Sequence, residues 1–335
     1  MSIEEKIMQA EGADKRKKKL RTLGILTAIL ILIIAAILFF IFNKKPIARL
    51  LSGDTQKPVY ISSMFGDLDW PIGVAVSPDG QRIYVVDSNH RQIKYFNPAG
   101  KQLGAFGKAL NQASGGEGFL NPLYIAVSPK GDVYVTDRSA AAIQIYSSTG
   151  KYISRFTPKT DQPDFSWSPL TVAFDKKGLM YVADATKDKH RILVFDANGQ
   201  LKLQFGKEGT GNGEFEFING LAIRSNGDIY AADSNNSRIQ VFTKDGKFKA
   251  VIGKGGKNTL GHPVALGFDA KGQLNISDTF GHSVMVYDTA GKFLFKYGSY
   301  GNGDGQFMFP MGLAVYQNTV YVVDREGKRI EVWEY

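Results

Sequence analysis

Residues 227–253 read GDIYAADSNNSRIQVFTKDGKFKAVIG. Runs of β-branched and aromatic residues (IYAAD, RIQVF and the close KFKAVIG) are separated by SNNS and TKDG, clusters of the residues that make tight turns. INGLAI, starting at Ile218, supplies a fourth run just upstream. Four short apolar runs joined by tight turns spell an antiparallel meander. The pattern recurs along the chain. INGLAI has counterparts in PIGVAV at 71, PLYIAV at 122, PLTVAF at 169, PVALGF at 263 and PMGLAV at 310, at intervals of 51, 47, 49, 45 and 47 residues. The second run of each unit ends in an aspartate: Asp87, Asp137, Asp184, Asp233, Asp278 and Asp324. RQIKYF, AAIQIYS, RILVFD, SVMVYD and RIEVWEY stand where RIQVFT does, and every unit but the last closes as GKQLGAFG does.

A unit of this size cannot bury its own apolar face, so the six must stack. Four strands repeated with a period between 40 and 50 residues is the pattern of propeller blades. The expected fold is all-β: a six-bladed β-propeller of four-stranded antiparallel blades, preceded by one N-terminal transmembrane helix. The sixth unit stops at Tyr335 after its third strand, whereas Pro58 to Gly66 (PVYISSMFG) ends in the aromatic–Gly pair that closes other units. This segment is predicted to pair with Arg329 to Trp333 and close the ring, which removes two free sheet edges. The expected organisation is a basic cytoplasmic N-terminus (1–22), a transmembrane helix (23–42), a linker (43–57) and the propeller (58–335), with 58–66 completing the last blade.

Residues 23–42, LGILTAILILIIAAILFFIF, carry no charge. A helix of that length spans about 30 Å, the thickness of bilayer hydrocarbon. A cleavable signal peptide would have a shorter apolar stretch and a small-x-small site after it; Phe39 to Asn43 offer none. Six Lys/Arg from Lys15 to Arg21 precede the span, against Lys44, Lys45 and Arg49 after it. This imbalance predicts a single-pass membrane protein with a cytoplasmic N-terminus and an extracytoplasmic propeller, its basic stretch near anionic headgroups.

The chain has 335 residues, 37 of them glycine and none cysteine. Disulfides, thiolate metal sites and a cysteine nucleophile are therefore excluded. Its net charge of +9 is uneven: residues 1–57 hold 11 Lys/Arg against 5 Asp/Glu, which leaves only +3 for the rest. A nucleic-acid partner is not expected of so balanced a body.

The signature P-x-x-h-A-V, G-x-h-Y-V-x-D, R-I-x-V-F, G-K-F-x-x-x-F-G resembles the NHL repeat, clearest in Gly227 to Gly253, and the resemblance covers residues 58–335. It implies the propeller fold. Such propellers include protein-binding and RNA-binding modules, receptor-like sensor domains, and some lyase and lactonase relatives, so fold alone does not assign a function. In amidating-lyase relatives a zinc-binding His follows the Pro of the innermost strand; here Ile72, Leu123, Leu170, Asn219, Val264 and Met311 take that position. No metal or cofactor is predicted. A channel calcium would require acidic partners beside Asn121 and Asn219, and the entry to the innermost strands shows none.

The six aspartates repeat once per unit and cannot converge on one site, so a local structural role is expected: accepting N–H groups of a turn, or facing Arg91, Arg191, Arg238 or Arg329. His90, His190 and His282 follow aspartates of alternate units and lie too far apart for one zinc. The loops between blades and those after each aspartate share one face of the disc and vary most in sequence. Trp70, Arg138, Trp167, Lys187, Asn219, His262, Phe280, Phe309 and Arg325 are the candidate binding residues, suited by type to a protein or peptide ligand. Packing between blades is the competing reading for Trp167 and Phe309. The expected function is a membrane-anchored binding, scaffold or sensor module; the alternative is a propeller enzyme of lyase or gluconolactonase type with a channel metal.

Overall fold

The computed structural model describes residues 3–43, 57–111, 116–256 and 258–335, with side chains of the N-terminal helix described at Ile3 and over 16–35. It divides into two units, Met1–Val59 and Tyr60–Tyr335.

The first unit is the helix α1, Ile3–Asn43. Leu23, Ile25, Leu26 and Ile29 to Ile34 are all exposed on it. Thr27 Oγ1 donates to Leu23 O at 2.9 Å, so the hydroxyl inside the apolar run is satisfied by its own helix. Among the described residues no helix is long and apolar enough to cross a membrane. The expected span at 23–42 runs beyond residue 35, past the described side chains, and all of the expected linker except its ends lies outside the described residues.

The second unit contains six four-stranded sheets, five of them meanders of consecutive strands. In the fourth, the strands are Ile218–Ile223, Ile229–Asp233, Arg238–Phe242 and Phe248–Ile252 from inside to outside. The Asp that ends the second strand pairs with the residue that opens the first and with the residue that opens the third: Ile218 and Arg238 both face Asp233. Every first strand shifts register near its start, as between Ile218 and Gly220. The period-2 alternation has little solvent face to show, because neighbouring sheets bury both sides of the middle strands. One core cluster joins Tyr230, Ile239 and Ile252 of the fourth blade to Leu266, Ile276 and Tyr287 of the fifth. Truncating Ile276, which is fully buried, is expected to cost about 2–5 kcal/mol.

The innermost strands approach so closely that some positions admit no side chain. A Cβ on Gly312 would strike the backbone carbonyl of Ile72 in the next blade, and one on Gly220 the carbonyl of Val264. Backbone cannot give way as a flexible side chain can. Gly312→Ala is therefore expected to lower the melting temperature by several degrees despite the small added volume, and thermal denaturation followed by circular dichroism would show it.

The sixth sheet is composite. Its strands are Pro310–Tyr316, Thr319–Asp324 and Arg329–Glu334, and its outer strand is Val59–Met64, from the opposite end of the propeller sequence. Trp333 secures the junction, with ring centroids 5.9 Å from Tyr60, 4.7 Å from Tyr297 and 5.9 Å from Phe307. The aromatic–Gly pair in this strand does not play the part that it plays elsewhere. Met64 is buried and Phe65 is 63% exposed, one place out of step with Phe106, and a Cβ on Gly66 would meet the Phe96 ring.

Glu331, on the third strand of this blade, is completely buried. Burial pushes its carboxyl up to about 8, although Arg329 Nη2 lies 2.9 Å away. Its raised value adds stability in full below the ordinary carboxylate range, and that contribution is lost as pH rises through about 8. In Glu331→Gln this dependence should vanish. The melting temperature of the variant minus that of the wild type is expected to grow between about pH 5 and about pH 9; a constant difference would contradict the assignment.

Candidate binding face

The aspartates organise one end of the disc. Each accepts backbone N–H groups from the loop that enters the innermost strand of its own blade: Asp87 from Asp69, Asp137 from Leu120 and Asn121, Asp184 from Ser168. Asp233 accepts from Glu216, Asp278 from Gly261 and His262, Asp324 from Met308 and Phe309. All six are buried, at 2% exposure or less. Arg191 lies 2.9 Å from Asp184, Arg238 2.7 Å from Asp233 and Arg329 3.4 Å from Asp324. Arg91 departs from the expected pattern. It precedes the strand Gln92–Phe96 rather than opening it, so Gln92 faces Asp87; Arg91 donates to Leu110 O, and Lys94 pairs with Asp87 at 2.8 Å.

Hydroxyls after the aspartates link neighbouring blades. Ser88 Oγ donates to Pro122 O at 2.6 Å, Ser234 Oγ to Pro263 O at 2.6 Å and Thr279 Oγ1 to Pro310 O at 2.7 Å. The entries at Pro122, Pro263 and Pro310 are thus held both by an aspartate and by a hydroxyl of the neighbouring blade, and side chains on the entry loops project from this frame.

Three of the sequence-selected residues meet there. The Arg325 guanidinium lies 4.1 Å from the Trp70 ring centroid and 4.9 Å from that of Phe309. Among the described residues its one charged partner is the adjacent Glu326, at 3.1 Å. The group continues through His282, 5.8 Å from Phe309 and 4.8 Å from the exposed Tyr300. A second pairing puts Arg138 5.2 Å from the Phe217 ring. Trp70 and Phe217 both hold left-handed backbones, with φ of 55° and 60°. For bulky residues this conformation costs about 1–3 kcal/mol and is concentrated at functional positions. The loop hydrogen bonds to Asp87 and Asp233 hold it in place.

The other selected residues take different places. Phe280 is 62% exposed and stacks on His262 at 4.8 Å; burial holds the His262 imidazole below its ordinary value and so neutral at pH 7. Lys187 stands exposed on the loop after Asp184. Trp167 packs among Phe156, Phe165 and Phe195 at 5.9–6.5 Å and belongs to an inter-blade core. Asn219 lies at the channel, where it accepts from the Tyr124 hydroxyl at 3.2 Å and donates to Ser234 Oγ at 2.8 Å. Sequence reasoning missed Phe217, His282 and Tyr300. Phe217 occupies the same place before the innermost strand as Trp70 and Phe309, but Ile218 follows it where Pro follows the others, which hid the correspondence.

Beneath this face the channel is plugged. Ile72, Tyr124, Leu170 and Val264 form an apolar cluster with Phe217 and Met311 packed against it. Burial pushes the Tyr124 hydroxyl well above its ordinary value. The remaining channel space is about 70 Å³, and its polar side chains are Tyr124, Thr171 and Asn219. That donor set does not fit a divalent cation, which takes carboxylate or imidazole ligands. Among the described residues no group of three His, Cys, Asp or Glu could hold a metal. His90 and His282 are instead engaged locally, with Asp87 at 2.8 Å and Met308 O at 2.7 Å, and His190 Nδ1 accepts from Phe217 N at 3.2 Å.

Comparison with known proteins agrees with this architecture. A family described as "6-bladed beta-propeller" matches residues 168–239. Protein brain tumor of Drosophila melanogaster is 32% identical over 132 residues, 39% of this chain and 12% of its own length. The E3 ubiquitin-protein ligase TRIM32 of Mus musculus is 25% identical over 231 residues, 65% of this chain and 32% of its own. The chain is a six-bladed β-propeller with NHL-type relatives. The propeller spans about a third or less of the length of these relatives. Among solved structures, a gluconolactonase from Xanthomonas campestris superposes with a TM-score of 0.63 at 14% identity, covering 85% of this chain and 92% of that one. A streptogramin B lyase superposes at 0.58 and 15%, covering 82% and 96%. At such identities the likeness is one of fold.

Proposed function

We propose that the propeller is a binding module for a protein or peptide partner, tethered to a membrane and displaying the face built around Arg325. The observation that carries this reading is the Arg325 guanidinium held between Trp70 and Phe309. Aromatic residues and arginine dominate the energetics of protein interfaces, and a preformed Arg–aromatic stack lowers the ordering cost of binding. TRIM32, named as an E3 ubiquitin-protein ligase, belongs to a class of enzymes that act on proteins, which supports a protein partner. The lyase and gluconolactonase likenesses do not favour an enzyme here, since the channel donors do not suit a metal.

Membrane attachment rests on the uncharged run 23–42, on the internally satisfied Thr27 and on the exposed apolar side chains around it. The basic residues before the run favour a cytoplasmic N-terminus and an extracytoplasmic propeller. Crosslinking on native membranes with partner identification tests the face. Arg138→Ala with Arg325→Ala is expected to reduce partner yield at least about tenfold; an unchanged set of partners at unchanged yield would refute the choice of face. Protease added to intact cells tests topology separately: a protected propeller would refute the extracytoplasmic placement and leave the face standing.

A further inference from the structure

The junction between the second and third blades is open where equivalent junctions are closed. The residue three places before the aspartate that ends the second strand is buried in every other blade: Tyr84, Tyr181, Tyr230, Asn275 and Tyr321 are all at 5% exposure or less. Tyr134, their counterpart, is half-buried. Tyr84 donates its hydroxyl to Ser148 O in the adjoining blade at 2.7 Å, whereas Tyr134 faces a cavity of about 520 Å³. The cause can be read in the chain. Gly107, Gly206, Gly253 and Gly298 end the outer strands of four blades with positive φ and turn the chain back at once. The second blade has Thr157 at this place, and the chain runs on to pair with the third blade instead. Lys159 then bridges to Gln200 on the third blade, its N–H donating to Gly199 O at 2.8 Å and its carbonyl accepting from Leu201 N at 2.9 Å. The strap spans the rim and leaves a hollow behind it.

The hollow has an apolar floor and a basic mouth. Tyr134, Phe156, Phe174 and Met180 line its base, with Tyr134 and Phe174 edge to face at 4.8 Å. Lys130, Lys159, Lys176 and Lys177 surround the opening, and no described acidic group forms an ion pair with any of them. Two carboxylates and a guanidinium also line it. Asp196 is engaged by the N–H groups of Asn198 and Gln200, Arg155 donates to Ala140 O, and among the described lining residues Asp132 is the acid left to oppose the lysines. The volume suits a small organic molecule rather than a folded partner. The turns that form it lie at the end of the strands away from the aspartates, so it is separate from the Arg325 face.

We propose that this cleft binds a small organic anion with an aromatic or acyl body, the body lying on Tyr134 and Phe174 and the acidic group among Lys130, Lys176 and Lys177. The probe is 2-naphthoate, titrated by its fluorescence anisotropy into the full chain in lipid nanodiscs, with empty nanodiscs subtracted. Neutral 2-naphthalenemethanol and cationic 2-naphthylmethylammonium serve as charge comparisons. Saturable naphthoate binding is expected, at least about tenfold tighter than either comparison. Lys176→Glu with Lys177→Glu, two exposed positions, should abolish it, and Ser154→Trp should block it by filling the cavity. Lys101→Glu with Lys151→Glu, exposed elsewhere on the propeller, should leave it intact. Equal binding of the three naphthyl compounds, no saturable naphthoate binding, or retained binding in the Lys176/Lys177 variant would each overturn the proposal.

Discussion

Removal of residues 57–66 is expected to abolish the cooperative unfolding transition rather than merely lower its midpoint. These residues contain the outer strand Val59–Met64, and their loss would expose the edge of Arg329–Glu334, uncover Trp333 and empty the place of Met64, which is 1% exposed beside Ile83 and Phe96. A free strand edge with unpaired N–H and C=O groups invites association with other chains. Calorimetry should show no sharp endotherm, and size-exclusion chromatography should show aggregates. A truncated chain that remained monomeric and melted as the intact one does would show that the ring does not depend on this strand.

Asp233→Ala is the point substitution with the largest expected effect. Asp233 accepts Glu216 N at 2.7 Å and Arg238 Nε at 2.7 Å, and Arg238 is only 2% exposed. Deleting the carboxylate leaves a buried guanidinium without its counter-charge, which costs about 3–5 kcal/mol. It also releases the loop that carries Phe217. A fall in melting temperature of roughly 5–9 °C is expected by the usual scaling for a domain of this size. Asp233→Ala combined with Arg238→Met should recover part of that loss, since the stranded charge is then gone. If the double variant were less stable than Asp233→Ala alone, the penalty would lie in the lost loop contacts and not in the charge. Partner crosslinking should weaken in both variants through the freed Phe217 loop.

The six sheets were legible because each unit repeats the same sequence of strand, turn and aspartate, and errors in one copy are corrected by five others. Departures from the repeat were harder to read. Met64 and Phe65 exchange places because an aromatic–Gly pair fixes a type of strand end but not which residue faces the core. Arg91 was misjudged by a single position: one residue before the strand is enough to turn a guanidinium from Asp87 to Leu110 O. Of the candidate face, Trp70, Phe309 and Arg325 were accessible because aromatic and cationic residues on variable loops stand out. Phe217 was hidden by an isoleucine where proline was expected, and Tyr300 by the glycines around it. The cleft at the second junction follows from one threonine in place of a glycine, and its meaning emerges only when the path of the following segment is known.

The composite sixth sheet also constrains how the protein is made. Its outermost strand leaves the ribosome before the rest of the propeller, yet its partner, Arg329–Glu334, is the last of the propeller strands to be synthesised. Neither can pair with the other until every other blade has been made. Local meanders can form as they emerge, but the contact that locks the circle has close to the largest sequence separation the propeller allows, and such contacts are slow to form. The earliest strand of the propeller must therefore wait unpaired while the other blades are made. It is the segment of the nascent chain most in need of a chaperone.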